Sequence, residues 1–209
     1  MARLTWSEIK TEAILELRNR DDISSRVENW LREAAQEVAY GFRFYELEKT
    51  ATFDLAKGAE EIAFSTFGAT DVKHILSLKD TTNGRRIKPA SFRFIDRSTL
   101  SSGNPGYYCR FGSSLLFDAK PATTHVSYKL RYRKQISEPD FSSSSSYPDT
   151  PSEWDEIIRL FAVSKGYSAL FEKDMADEKE ARALRLISRL PTDEFIDAED
   201  SDFGITVRA

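Results

Sequence analysis

The sequence predicts an α+β fold: a helical bundle of two N-terminal and two C-terminal helices with an inserted antiparallel β-sheet region. Three observations carry this expectation. Apolar residues recur at helical spacing near both ends of the chain. Between Phe44 and Ile136 the pattern changes to short runs of aromatic and β-branched residues, separated by glycine, proline, serine and asparagine. A serine- and proline-rich stretch then marks the return to helix. The expected boundaries are a helical domain over residues 1–43 and 150–191, a β-rich insertion over 44–137, a Ser/Pro linker over 138–149 and a C-terminal tail over 192–209.

At the start, Thr5-Trp6-Ser7-Glu8 has the spacing of a capping box, with Leu4 and Ile9 at the staple positions around it. A helix through about Leu17 puts Trp6, Ile9, Ala13 and Leu17 on one face, and the polar run Arg18-Asn19-Arg20-Asp21 stops it. Asp22 is the expected cap of a second helix, in which Val27, Trp30, Leu31, Ala34, Ala35 and Val38 follow i, i+3, i+4, i+7 spacing up to Gly41. So short a turn makes the two an antiparallel hairpin.

Strands are expected over Ala51–Leu55, Glu61–Ser65, Val72–Lys79, Arg85–Lys88, Tyr107–Phe111, Ser114–Phe117 and His125–Arg133. In the last, Val126, Tyr128, Leu130 and Tyr132 alternate with His125, Ser127, Lys129, Arg131 and Arg133, so one face is apolar and the other cationic. Asn83-Gly84 signals a two-residue hairpin, and Phe111-Gly112-Ser113-Ser114 is another turn. Beyond the linker, Thr150-Pro151-Ser152-Glu153 combines a capping box with proline at the first helical position. The third helix carries Trp154, Ile157, Ile158 and Phe161 on one stripe and Leu160, Val163, Tyr167 and Leu170 on the next, a face wide enough to be covered from two sides. Asp174 is expected to cap a fourth helix with Ala183, Leu184, Ile187 and Leu190 facing inward and Pro191 ending it; one long bent helix is the alternative. The acidic tail ends in an alternating stretch, Phe203–Val207, which reads either as a frayed terminus or as a strand awaiting a partner.

With 209 residues and 40% hydrophobic content, the chain can bury one good core. Its apolar runs are only a few residues long, so no membrane span is expected, and Met1-Ala2-Arg3-Leu4 leads into a capped helix rather than a signal peptide. The single cysteine, Cys109, excludes an internal disulfide, and the two histidines, His74 and His125, exclude a histidine-rich metal cage. A net charge of −4 gives no overall attraction to nucleic acid or anionic membrane. The distribution is more informative, because residues 1–72, 73–134 and 138–209 carry net charges of −5, +10 and −9. Such alternation is either uneven surface decoration or a basic surface made to meet an acidic surface of a neighbouring copy.

No Walker-type loop, dinucleotide glycine fingerprint, nucleophile elbow or zinc-ligand spacing occurs, so no catalytic residue, metal or cofactor is expected. Cys109 with His125 or His74 as base would make a small hydrolase, whereas a lone thiol is more often structural. Glu60-Glu61 and Asp193-Glu194 read as solvated surface. The basic residues Arg85, Arg86, Lys88, Arg93, Arg97, Arg110, Lys129, Arg131, Arg133 and Lys134 interleave with Tyr107, Tyr108, Phe111 and Tyr132, a composition suited to single-stranded nucleic acid. The acidic remainder of the chain repels that same backbone, and subunit contact is the better use of these charges.

Three stretches, set between two helices before and two after, carry a family resemblance: Gly103-Asn104-Pro105-Gly106-Tyr107-Tyr108, Leu115-Leu116-Phe117-Asp118-Ala119-Lys120-Pro121 and Tyr128-Lys129-Leu130-Arg131-Tyr132-Arg133. In this arrangement the chain resembles the head-to-tail adaptor proteins of tailed bacteriophages, including the head-completion or tail accessory factor type, over most of residues 4–190. The resemblance implies a non-enzymatic structural virion protein without a cofactor. It would be one subunit of a ring, typically of twelve copies, that docks on the portal after genome packaging, extends the DNA channel and connects to the tail. The implied partners are further copies of the chain, the portal protein, a tail or nozzle protein, and packaged DNA passing without sequence specificity. No membrane is involved, and the implied location is the virion neck, after assembly in the host cytoplasm. Under this resemblance Phe203, Ile205 and Val207 are the candidate portal-binding residues. Arg85, Arg86, Arg93, Arg110, Lys129, Arg131 and Arg133 are the candidate inter-subunit basic surface. A nucleic-acid-binding module and a small hydrolase stay open as alternatives.

Overall fold

Mixed α and β structure is what these patterns build. The structure, a computed structural model, describes residues 3–18, 20–42, 44–98, 101–122 and 125–190. Its helices are α1 (Trp6–Glu16), α2 (Ser24–Gly41), α3 (Phe92–Arg97), α4 (Asp155–Ala169) and α5 (Lys173–Ile187). Its strands are β1 (Glu48–Ala56), β2 (Glu61–Ala63), β3 (Val72–Asp80), β4 (Arg85–Pro89), β5 (Ser101–Ser102), β6 (Tyr107–Phe111), β7 (Ser114–Phe117), β8 (Ala119–Lys120) and β9 (His125–Lys134). Contacts divide the chain into two compact units, one of the described residues up to Glu46 and from Ile136 onward, the other Leu47–Gln135.

In the first unit the Thr5 capping box forms: the Glu8 N–H donates to the Thr5 hydroxyl at 3.2 Å and the Thr5 N–H donates to the Glu8 carboxylate at 2.8 Å. The Thr5 N–H, and the Thr5 hydroxyl donating to the same carboxylate at 2.9 Å, hold the Glu8 carboxyl below its ordinary value. Trp6, Ile9, Ala13 and Leu17 are all buried, as the helical spacing requires. Asp22, by contrast, is not the cap of α2. Arg20 claims its carboxylate with two hydrogen bonds of 2.7 and 3.1 Å, and the chain enters α2 through a 3-10 turn, Asp21–Ile23, with no side-chain cap.

The Thr150 capping box does not form either. Ser152–Trp154 makes a 3-10 turn, and α4 starts at Asp155 without a side-chain cap. Packing overrides the local signal here, because the buried Trp154 ring lies 4.6 Å from Phe42 and 4.9 Å, edge-on, from Phe44. Thr150 is left buried with its hydroxyl unpartnered among the described residues. Asp155 is buried too: one carboxylate oxygen accepts the Leu4 N–H at 2.9 Å and the other has no partner. That burial pushes its carboxyl up to about 6.

Three helices meet at Gly166 of α4, where an added Cβ would stand 2.8 and 2.9 Å from the two Leu17 methyls and 3.1 Å from Trp30. Nearby, the Tyr167 hydroxyl donates to the Glu16 carbonyl at 2.7 Å. Arg159 lies among Glu12, Glu16 and Glu156, and Lys179 of α5 reaches Glu16 at 2.8 Å. Together α4 and α5 are two helices rather than one bent one, because Phe171 between them adopts φ +62. Asp174 lies in the first turn of α5 and the capping position belongs to Glu172, without a side-chain bond. Leu184, expected inward, is 54% exposed. The buried residues of α5 are Ala176 and Ala183, seven apart, and a neighbour one position on is rotated by about 100° away from that line.

Residues 138–149 belong to this unit and pack on α1 and α2. The Ser146 carbonyl accepts the Trp6 N–H at 2.9 Å, the Phe141 ring meets Trp6 edge-on at 5.7 Å, and the Arg32 guanidinium lies 5.2 Å over that same ring.

The second unit is a seven-stranded sheet of order β1-β9-β3-β4-β6-β7-β2, antiparallel except where β4 runs parallel to β6; β5 and β8 pair separately, in parallel. Period-two alternation puts Phe53, Leu55, Leu78, Ile87, Leu115, Phe117, Val126, Tyr128 and Leu130 into one buried core. The β3–β4 connection is not a two-residue hairpin. Asp80 pairs with Arg85, so the loop is the four residues 81–84, closed by the buried Asp80 carboxylate accepting the Asn83 N–H at 2.9 Å. Gly84 supplies the positive φ, +68. The turn at Gly112-Ser113 is a true two-residue loop, with Phe111 paired to Ser114 and positive φ at Gly112 alone, the type II′ pattern. The expected strand at Glu61–Ser65 stops at Ala63, where Phe64 turns into the core in a 3-10 segment.

Candidate assembly surface

Every residue paired directly across the sheet shares a face with its partner, so the register sorts the cationic residues. One face is the core. On the other, Lys129 of β9 stands opposite Lys79 of β3, and Lys79 stands opposite Arg86 of β4. Three cations therefore lie side by side on adjacent strands, each exposed and none with an acid partner among the described residues. Along β9, Arg131 is neutralised by Glu48 of β1 at 2.5 Å, and Arg133 lies in register with Glu48 and His74. Burial, together with the charges of Arg133 and Arg110, holds His74 below its ordinary value. At the other end Ser127 donates to Asp54. Acids thus sit at both ends of this face, and its centre is left cationic.

Towards β6 the face becomes aromatic. Lys88 pairs with Tyr107, and α3, capped by the Ser91 hydroxyl accepting the Phe94 N–H at 3.3 Å, packs on β6 with Ile95 buried. Phe92 stacks on Phe111 at 4.8 Å and Phe94 meets Tyr107 edge-on at 5.1 Å. All four stay open to solvent, at 45, 55, 49 and 37% exposure respectively. Arg93 and Arg97, on α3, are exposed beside them. The unit Leu47–Gln135 has 15 basic and 8 acidic side chains, a net charge of +7, which leaves −11 for the remainder.

The seven basic residues singled out in the sequence do not form one surface. Arg86, Lys129, Arg131 and Arg133 share the outer face, whereas Arg85 pairs with the buried Asp80 and so starts from the opposite side. Arg110 is turned onto its own chain, donating to the Lys73 carbonyl at 2.7 Å and lying 5.4 Å over the Phe64 ring. Tyr108 and Tyr132 are buried in the core, and burial raises both phenols to about 12. Two contributors were not singled out. Lys79 needs the β3–β9 register to be seen, and α3 was signalled only by Ser91 followed by Phe92 and Ile95 at helical spacing. Phe203, Ile205 and Val207 lie outside the described residues.

A family model described as SU10 adaptor protein matches residues 4–202. The chain belongs to the SU10 adaptor protein family. This is a phage adaptor family, and membership points to a structural phage protein that meets other neck components. Among curated proteins none matches the adaptor. No described helix of the adaptor is long and apolar enough to cross a membrane. Among its described residues no three His, Cys, Asp or Glu side chains gather as metal ligands would. Cys109 of the adaptor is buried and its thiol pushed up by that burial, the reverse of what activates a nucleophile.

Proposed function

We propose that this adaptor is a subunit of the head-to-tail ring of a tailed phage, docking on the portal, extending the DNA channel and connecting to the tail. The observation that carries the reading is the separation of charge: a β unit of net +7 with the cationic row Lys129–Lys79–Arg86 at the centre of its outer face, on a chain whose remainder carries −11. A closed ring needs two unlike, complementary surfaces on each subunit, and a separation of charge of this kind supports that reading. In this reading the N- and C-terminal helices form one bundle from which the sheet is inserted. The ring holds about twelve copies at the virion neck, and Arg86, Lys129, Arg131 and Arg133, with Lys79, face the neighbouring copy. The stretch with Phe203, Ile205 and Val207 docks on the portal. DNA passes through without sequence-specific contact, along a channel that an acidic lining keeps from sticking.

The exposed aromatics beside Arg86 and Lys88 favour a second reading, a binder of single strands. Electron microscopy of the purified protein mixed with portal separates the two. Rings stacked coaxially on the portal are expected, and removing residues 192–209 is expected to leave a folded chain that no longer joins it. A protein that ignores the portal but shifts on single-stranded DNA, with steep salt dependence, refutes the adaptor-ring reading.

A further inference from the structure

The lateral row Lys129–Lys79–Arg86 is the least expected feature of the β unit. Like charges directly opposite on neighbouring strands repel, and adjacent strands lie only about 5 Å apart, so three cations crowd into roughly 10 Å. Elsewhere on this face the chain supplies its own acid, Glu48 to Arg131. At the centre the described residues supply none, and open aromatic rings border the gap. This face suits a ligand with several carboxylates and an aromatic or aliphatic side chain among them.

We infer that the outer face of the sheet, with Lys79, Arg86 and Lys129 at its centre and Phe94 and Tyr107 at its border, receives the acidic segment Asp193–Asp202 of a second copy of this chain. That segment has the matching chemistry. Asp193, Glu194, Asp197, Glu199, Asp200 and Asp202 fall within ten residues that contain no base, and Phe195 and Ile196 lie among them. The carboxylates neutralise the cationic row, and Phe195 meets the ring edges of Phe94 and Tyr107. Asp202 stands twelve residues after Leu190, enough to extend about 40 Å, a span on the scale of a neighbouring copy, and Phe203–Val207 follow it for another partner. The occupant is a neighbouring copy because a heterologous ring requires each subunit to offer one surface and fill another. This inference rests on the ring reading above.

Zero-length carbodiimide coupling of the full chain, mixed from light and heavy-isotope copies and run free and with portal, tests it by joining lysine amines to touching carboxylates. Lys10–Glu28 and Lys49–Asp71, each 2.6 Å apart, serve as internal controls. Links from Lys79 or Lys129 to the 193–202 carboxylates, with light–heavy pairs among them, are expected. Controls without tail links, or tail links of one isotope only, overturn the inference. A charge swap gives an independent reading. The face variant Lys79→Glu/Arg86→Glu/Lys129→Glu and the tail variant Asp193→Lys/Glu194→Lys/Glu199→Lys/Asp200→Lys should each lose inter-copy tail coupling at least tenfold, read for the face variant at Lys88. An equal mixture of the two should recover it, now also from the tail lysines to the new glutamates. Failure of the mixture to recover overturns it, as does binding of a single-stranded oligonucleotide that the face variant abolishes while tail links stay absent. A protein that joins portal without tail links loses this inference alone, and one with tail links that ignores portal loses only the portal-docking role.

Discussion

Replacing Gly166 by alanine tests the packing of the helical unit where it is tightest. A Cβ at that position would lie 2.8 and 2.9 Å from the two methyls of Leu17 and 3.1 Å from the Trp30 ring. Because both methyls are in the way, rotating the Leu17 side chain exchanges one clash for the other, and Leu17 is buried with nowhere to retreat. Overpacking of this kind costs about 1–3 kcal/mol. Against it, alanine in a helix interior gains about 1 kcal/mol over glycine. The net expectation is a loss of about 1 kcal/mol. In a Leu17→Ala background, itself less stable by about 2–5 kcal/mol, the two shortest contacts are gone and only the 3.1 Å approach to Trp30 is left, so the same substitution should become neutral to stabilising, by up to about 1 kcal/mol. All three tryptophans, Trp6, Trp30 and Trp154, belong to this unit, so urea unfolding followed by tryptophan fluorescence reports it without interference from the sheet. An effect of the same sign and size in both backgrounds would refute the contact.

Asp155→Asn keeps an acceptor for the Leu4 N–H while removing the buried charge. A carboxyl raised from 3.8 to about 6 contributes stability that is full below pH 3.8 and lost as pH rises through 6. The variant should therefore match the parent near pH 3.5 and exceed it by about 2 kcal/mol at pH 7.5, and equal urea midpoints at the higher pH would contradict this. Thr150→Val removes a buried hydroxyl that has no partner, and should leave the midpoint unchanged or raise stability by up to about 1 kcal/mol; a loss larger than that would mean the hydroxyl is bonded. Lys79→Glu converts two repulsive cross-strand pairs into attractive ones and should stabilise the sheet by about 0.5–1 kcal/mol at low salt, seen as slower amide exchange in β3 and β9 and erased by 0.5 M salt. Faster exchange would show that the three cations are not neighbours.

How far the sequence could be read depended on where the deciding interactions lie. Alternation along β9 and helical spacing in α2 are local signals reinforced by burial, and the structure follows them closely. Thr5 caps α1 because its box partner, Glu8, has no competitor. Asp22 and Thr150 have the same chemistry and do not cap. An arginine two residues away takes the first, and the burial of Trp154 fixes the turn after the second. Leu184 was misplaced for a related reason, since a helix that approaches its neighbour through Ala176 and Ala183 leaves the larger residue outside. Half of the cationic surface was legible as alternation in β9. Arg86 was named on composition, but Lys79 was not, because it joins Lys129 and Arg86 in one row only through a strand order that brings the last strand between the first and the third.

That strand order also decides what the charge on the face means. A merely basic unit would leave its cations scattered, each spaced from the next by the chain's own acids. Here β1 places Glu48 and Asp54 on the two ends of the outer face and threonines, Thr50 and Thr52, between them, so the acids available on the neighbouring strand miss the row that most needs them. A single acidic residue at position 52 would stand directly opposite Lys129 and relieve the repulsion within the monomer. Its absence leaves a local cost, which the proposed association with an anionic segment would remove, and it makes the sign of one measurement diagnostic. Thr52→Glu should stabilise the isolated sheet and weaken contact between copies, whereas a surface with no partner would show the first effect without the second.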